Sequence, residues 1–280
     1  VEDAKRVIYE ALYTKKNVFW ALYKARDHFA KVKVDRLRVR AKASIIGEFW
    51  AMTTEGDGNY HLQKFLESEG AENDIQLTTA WLLYNIWEVA RDTRERADLR
   101  RYDPGAYGLE ALSDTDPFGV NRKLATMRLA EWGLRLGFKA FAWPLGLYNY
   151  PLPDMDKVAE VAHGFYSNDL RGGEGHMEVG KLIINVVDSK AHLTVSVKPF
   201  GCMPSSGVSD GVQSLITARF PGSIYCAVET SGDGATNFYS RVQMYMFKAR
   251  QAAEAEFQRV LEECGVTEAQ VRDFLAANPK

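Results

Sequence analysis

Cysteine is scarce: Cys202, Cys226 and Cys264 are the only three in 280 residues. They form neither a disulfide framework nor the paired C-x-x-C spacing of a zinc site, so a reducing, cytoplasmic setting is expected. Charge of one sign is lacking too. The formal net charge of −2 is far from the basic footprint of a duplex-binding protein, and nucleic acid is not expected as a partner. No uninterrupted apolar run reaches the length of a membrane span, so no membrane partner is expected, and no secretory leader is recognised. What remains, with 46% hydrophobic and 26% charged residues, is globular material long enough to bury a full core. The chain opens on Val1 within helical sequence, which suggests a further part upstream.

Hydrophobic patterning predicts a helical segment over residues 1–36, followed by an α/β domain over 37–280. The expected architecture is a Rossmann-like, mostly parallel sheet flanked by helices, with a helical insertion at about 91–156. Strands are expected at Ala41 to Phe49, from Ile75 to Leu77, at Leu193 to Val197 and at Ser223 to Val228. Helices are expected at Tyr60 to Ser68, Met155 to Phe165, Met177 to Ile184, around Val212 to Thr217, and from Asn237 towards Cys264. Thr267 with Gln270 is a capping box opening a terminal helix. In the insertion, Arg91, Arg94, Arg96, Arg100 and Arg101 alternate with Asp92, Glu95 and Asp98, the pattern of a solvated helix face. A helix is expected to start at Asp116-Pro117. Phe138 to Leu147 is apolar, interrupted by Pro144, and suits a core or a subunit contact.

The most informative segment is Lys198-Pro199-Phe200-Gly201-Cys202-Met203-Pro204-Ser205-Ser206-Gly207. It places a cysteine in a turn directly after a β-branched run, and so at the carboxyl edge of a sheet, where open α/β folds bind ligands. A following helix would present free N–H groups and a dipole that favour the thiolate, the form that ligates metal or attacks electrophiles. Buried packing is the ordinary fate of a cysteine, and Cys226 and Cys264 are assigned it.

Two stretches share a pattern. Ile45-Ile46-Gly47-Glu48 leads to Gly56-Asp57-Gly58-Asn59-Tyr60, and Tyr225 to Glu229 leads to Gly232-Asp233-Gly234 with Asn237-Phe238. Each reads strand, acidic residue, Thr-x-Gly-Asp-Gly, then a helix. Backbone N–H groups at such turns can hold an anion, although Asp-Gly is also plain turn chemistry. The second turn is expected near Cys202. His176 with Glu174 and Glu178 is a loose ligand-type grouping that lacks a second histidine at ligand spacing.

With Gly201-Cys202-Met203-Pro204, Phe220-Pro221, Glu229-Thr230-Ser231-Gly232-Asp233 and Ser240-Arg241-Val242-Gln243-Met244, the chain resembles the 2-hydroxyacyl-CoA dehydratase and benzoyl-CoA reductase superfamily. Its branch of CoA-substrate-specific enzyme activases offers further likenesses: Gly47-Glu48-Phe49, Leu66-Glu67, Gly70-Ala71-Glu72 and Pro199 to Pro204. The resemblance covers about residues 38–90 and 172–249. It implies a Rossmann-like domain holding a 4Fe–4S or related iron–sulfur cluster, in a system where an ATPase activator injects low-potential electrons. An acyl-CoA thioester is the implied substrate class. Cys202 matches a ligand position; where relatives carry another cysteine, this chain reads Leu77-Thr78-Thr79-Ala80.

One thiolate does not hold a cluster. The resemblance therefore implies that an upstream domain or partner subunit supplies further cysteines, or that the cluster has been lost and the chain serves as a scaffold or regulatory module. Ser205 and Ser206 are expected to donate hydrogen bonds near the cluster. Glu229, Ser231 and Asp233 are expected to line the same crevice, and Arg241 to pair with an acidic residue. A third alternative makes Cys202 the nucleophile of a thiol-dependent transferase or hydrolase, although no histidine is placed as its base.

Overall fold

A computed structural model describes residues 1–102, 117–170 and 173–278. The chain divides into two compact units, one of residues 1–35 and 79–155, the other of 36–78 and 156–280. Asp116, Arg171 and Gly172 lie outside the described residues, as do the side chains of Arg100 and Arg101.

The first unit is helical: α1 (Glu2–Tyr13), α2 (Val18–Ala30), nearly all of α5 (Thr78–Tyr102) and α6 (Pro117–Ala142). Asn17 caps α2 by accepting a hydrogen bond from the Trp20 N–H. On α5 the predicted charge pairs form, Arg91 to Glu95 and Arg96 to Asp92, each at 2.8 Å. α6 ends two residues before Pro144, as a proline requires. Phe19 stacks on Phe141, and Tyr23 meets the edge of Trp143. Leu129, Trp132, Leu136, Trp143 and Leu147 nevertheless stay exposed.

The second unit is α/β and Rossmann-like. Its strands β1 (Ala41–Gly47), β2 (Ala71–Ile75), β3 (Leu193–Pro199) and β4 (Tyr225–Thr230) form one all-parallel sheet in the order β2-β1-β3-β4. The chain runs from β1 outward to β2 on one side, then restarts beside β1 with β3 and runs outward to β4 on the other. The strand order therefore reverses between β1 and β3. In open α/β sheets, the crevice at the carboxyl ends of such a strand pair is the preferred ligand position.

β2 differs from expectation. It occupies Ala71–Ile75, not Ile75 to Leu77, and α5 starts at Thr78. Glu72 and Asp74 are exposed on this edge strand, so it lacks the apolar run by which buried strands are recognised. β1 and β3, with strands on both sides, are almost wholly buried.

Helices cover both faces. On one, α3 (Phe49–Thr53), α4 (Leu62–Ser68) and α10 (Ala235–Cys264) pack Met52, Leu62, Leu66, Val242 and Met246 against Ala43, Ile45, Val195, Val197 and Val228. On the other lie α7 (Met155–His163), α8 (Gly175–Val187) and α9 (Asp210–Arg219), joined by a smaller apolar cluster around Leu182, Ile183 and Ile216. α7 and α8 cross closely because Gly180 has no side chain; a Cβ there would lie 2.5 Å from the Val158 carbonyl oxygen. The terminal helix α11 (Glu268–Ala277) opens with the predicted Thr267–Gln270 capping box.

Gly47, the last residue of β1, has φ +125°, and a Cβ on it would lie 2.0 Å from the Val197 carbonyl oxygen. Only glycine satisfies both constraints. The same carbonyl accepts the Glu48 N–H at 3.0 Å, which locks the carboxyl ends of β1 and β3 together.

Candidate functional site

The Cys202 turn leaves β3, one of the two strands at the reversal. Gly201 turns the chain, and the Cys202 N–H donates to the Pro199 carbonyl at 3.2 Å. The chain then coils directly. The Ser206 N–H reaches the Cys202 carbonyl at 2.8 Å, and a π-helical turn, Ser205–Ser209, runs into α9. π turns concentrate at functional sites because the extra residue re-aims side chains. Cys202 is partly exposed, as expected of a reactive or ligating thiol and unlike Cys226, which is sealed within β4. Burial pushes the Cys226 thiol up to about 12.

From the thiol, a chain of contacts runs inward. Cys202 Sγ donates to Ser205 Oγ at 3.7 Å, and Ser205 Oγ donates to Glu178 Oε1 at 2.6 Å. Gln213 Nε2 donates to Glu178 Oε2 at 3.1 Å. Ser205, Gln213 and Glu178 are buried. Glu178 sits in the first turn of α8, where the helix dipole favours a negative charge. Tyr166 is raised above its ordinary value, first by burial and then by the Glu178 charge.

A second buried group anchors the base of the turn. Lys198 is fully buried on β3, pairs with Asp210 at the start of α9 and reaches Ser196 Oγ at 3.4 Å. Tyr225 donates to the same Asp210 carboxylate at 2.9 Å. Burial, then the Asp210 charge, holds the Tyr225 hydroxyl far above the ordinary tyrosine range. α9 is thereby fixed to β3 and β4 through one carboxylate.

Of the sequence-predicted residues, the structure brings together Cys202, Ser205, Ser206 and Glu229: Ser206 Oγ donates to Glu229, tying the turn to the end of β4. Ser231 and Asp233 form a separate group. Ser231 Oγ donates to Asp233 Oδ1 at 3.3 Å, and the Ser231 N–H donates to the Tyr60 hydroxyl at 3.0 Å. Tyr239 in turn donates to the Tyr60 carbonyl at 2.7 Å. The two Gly-Asp-Gly turns are thus joined through Tyr60, which follows the first, and both stand at the carboxyl edge of the sheet. Arg241 is exposed and forms no ion pair among the described residues, contrary to expectation.

His176 is buried beside Tyr166, with ring centroids 6.5 Å apart. The hydrogen-bond partner of the Cys202 thiol is a serine, where a nucleophilic triad would use histidine. Gln213, Lys198 and Asp210 carry no role in the sequence reading, and Glu178 enters it only as a loose ligand-type neighbour of His176, not as a partner of the Cys202 turn. Their signal was the alternation Thr194, Ser196, Lys198 along a strand whose place in a parallel sheet calls for apolar side chains on both faces.

The donor set can be tested against an iron–sulfur cluster. Cys202 has the exposure and neighbouring hydroxyls of a single thiolate ligand. Cys226 is inside the core as expected, whereas Cys264 is exposed rather than buried and ends the 30-residue helix α10, whose other end leaves the Asp233 turn. At 1.5 Å per residue that helix is about 45 Å long. Among the described residues no group of three or more His, Cys, Asp or Glu side chains is placed to hold a metal ion. The chain fits the role of one-thiolate contributor and does not fit that of a self-sufficient cluster site. Among the described residues, no helix is long and apolar enough to cross a membrane. No family model, curated protein or solved structure matches this chain.

Proposed function

We propose that the chain is a component of an ATP-driven, low-potential iron–sulfur reductase or dehydratase-like system acting on an acyl-CoA or similar substrate, with Cys202 as one ligand of a cluster shared with another polypeptide. The supporting observation is the position of Cys202: a partly exposed thiol on the turn leaving β3, beside the strand reversal, while Cys226 is buried within β4 and Cys264 ends α10. A cluster supplied there would carry low-potential electrons. This chain's part is to hold one thiolate, to place Ser205 and Ser206 beside it, and to fix the turn through Glu178 and through the Lys198–Asp210 pair. An upstream domain or partner subunit supplies the remaining cysteines, and an ATPase activator supplies the electrons.

The test is anaerobic reconstitution with ferrous iron and sulfide, of the chain alone and with its upstream partner, read by visible absorption and electron paramagnetic resonance. Cluster signals that require both components and disappear in Cys202→Ala are expected. Colourless protein in both cases, indistinguishable from Cys202→Ala, removes the proposal.

A second reading, a scaffold or regulatory module without a cluster, is favoured by the exposed Leu129, Trp132 and Leu136 along α6. It expects concentration-dependent association. Monomeric behaviour at high concentration in analytical ultracentrifugation counts against it.

A further inference from the structure

At the opposite, amino-terminal edge of the sheet, a cavity of about 350 Å³ opens between the starts of β1 and β2 and the flank of α10. Arg38, Arg40, Arg250, Glu69 and Glu254 line it. This edge of a parallel sheet is not where the fold itself creates ligand sites, so its charge pattern calls for its own explanation.

Arg250 and Glu69 neutralise one another. Arg250 Nη1 donates to the Glu69 backbone carbonyl at 2.7 Å and to its carboxylate at 3.1 Å, and Gln243 Nε2 holds the other carboxylate oxygen at 2.9 Å. The charges on that wall offset one another. Arg38 and Arg40 remain, with no hydrogen bond or ion pair among the described residues; Arg38 is exposed and Arg40 half-buried. Glu254 on the rim is exposed and pairs with neither. A half-buried guanidinium without a counter-charge bears a desolvation cost that a bound anion would offset.

The backbone makes room for this guanidinium. Gly70 has φ +90°, and a Cβ built on it would stand 2.9 Å from Arg40 Nη1. The tip of Arg40 therefore lies close against the backbone that leads into β2.

We propose that this cavity binds the phosphate group of a small phosphorylated ligand, gripped by Arg40 and Arg38. Two guanidinium forks lining one cavity offer more donors than a planar carboxylate accepts, whereas the three terminal oxygens of a phosphate monoester accept from both. The volume lies within the usual range of small-molecule pockets and exceeds what a bare anion fills. This site uses none of the residues of the Cys202 turn, and its test is independent of any cluster.

The experiment is isothermal titration of the full chain with glycerol 2-phosphate, inorganic phosphate and acetate. Saturable one-to-one binding of glycerol 2-phosphate is expected, weaker binding of inorganic phosphate, and none of acetate. Arg40→Ala should weaken the ester by about tenfold, the loss of one charge-assisted hydrogen-bonding group. Arg38→Ala and Gly70→Ala should weaken it less, and Arg219→Ala, an exposed arginine elsewhere, should leave it unchanged. Circular dichroism melts establish that each variant is folded. Absence of saturable binding, acetate binding as tight as the ester, or unchanged affinity in both folded Arg40→Ala and Arg38→Ala overturns the proposal.

Discussion

The two faces of the same sheet are built on opposite principles. Towards α3, α4 and α10 the strands present Ala43, Ile45, Val195, Val197 and Val228, and the helices answer with apolar side chains. Towards α8 and α9 the same strands present Thr194, Ser196 and Lys198, met by Asn185, Asp210 and, around the Cys202 turn, Glu178 and Gln213. The first face is held by area and volume, which many residue combinations satisfy. The second adds to a smaller apolar cluster a set of named pairs, in which each group depends on a particular partner. Only the second can position a reactive side chain, and the Cys202 turn is attached to it.

The largest effect expected from this contrast is at Lys198. Lys198→Met should cost about 3–5 kcal/mol in urea unfolding, because Asp210 loses its cation while remaining partly buried. In an Asp210→Asn background the same change should cost much less. A loss below about 1 kcal/mol in the single variant would mean the pair is merely a surface-type bridge.

On the apolar face, Met246→Ala should cost about 2–5 kcal/mol through cavity formation. Its effect should be the same in either Asp210 background, since distant sites add. Measurable coupling between Met246 and Asp210 would erase the distinction between the faces.

Alkaline pH should separate the buried acids. The folded-state values of Cys226 and Tyr225 are raised above their ordinary ones. The folded protein therefore holds protons that the unfolded chain has released, and stability falls as pH rises. The fall begins above about pH 8.5, near the ordinary cysteine value, and steepens beyond about pH 10, where unfolded tyrosines ionise. Tyr225→Phe should flatten the upper part and cost about 1 kcal/mol at neutral pH for the lost bond to Asp210. Chemical denaturation across pH measures both, and an unaltered alkaline limb in Tyr225→Phe would contradict this assignment.

The smallest effects concern the thiols themselves. Iodoacetamide should modify Cys202 and Cys264 in the folded protein and spare Cys226 until unfolding, as read by peptide mass spectrometry. Ser205→Ala should cost about 1 kcal/mol and alter the rate at Cys202 alone. Equal rates at Cys202 with and without Ser205 would detach the thiol from its contact chain.

Much of the fold was legible because its strands announce themselves. β1, β3 and β4 are short runs with buried apolar residues ending at glycine, proline or acidic turns, and α10 and α11 carry ordinary periodicity and capping. β2 was displaced by several residues because an edge strand needs little apolar content, and the run Ile75 to Leu77 drew the prediction forward. At the site, Cys202, Ser205, Ser206 and Glu229 were identified as neighbours through turn composition and resemblance. Glu178 and Gln213 were not, because each comes from a different helix and only the folded chain brings Gln213 to Glu178 and Glu178 to Ser205. Tyr60 likewise gave no hint that it would join the two Gly-Asp-Gly turns.

The seam between β1 and β3 carries one last implication. At Gly47 the carbonyl of Val197 occupies the space a methyl group would need, so any larger residue must wedge the two middle strands apart at their tips. That would widen the mouth of the crevice and tilt the Cys202 turn without touching it. A library randomised at position 47 and selected for folding alone should return glycine and nothing else, whatever the crevice holds.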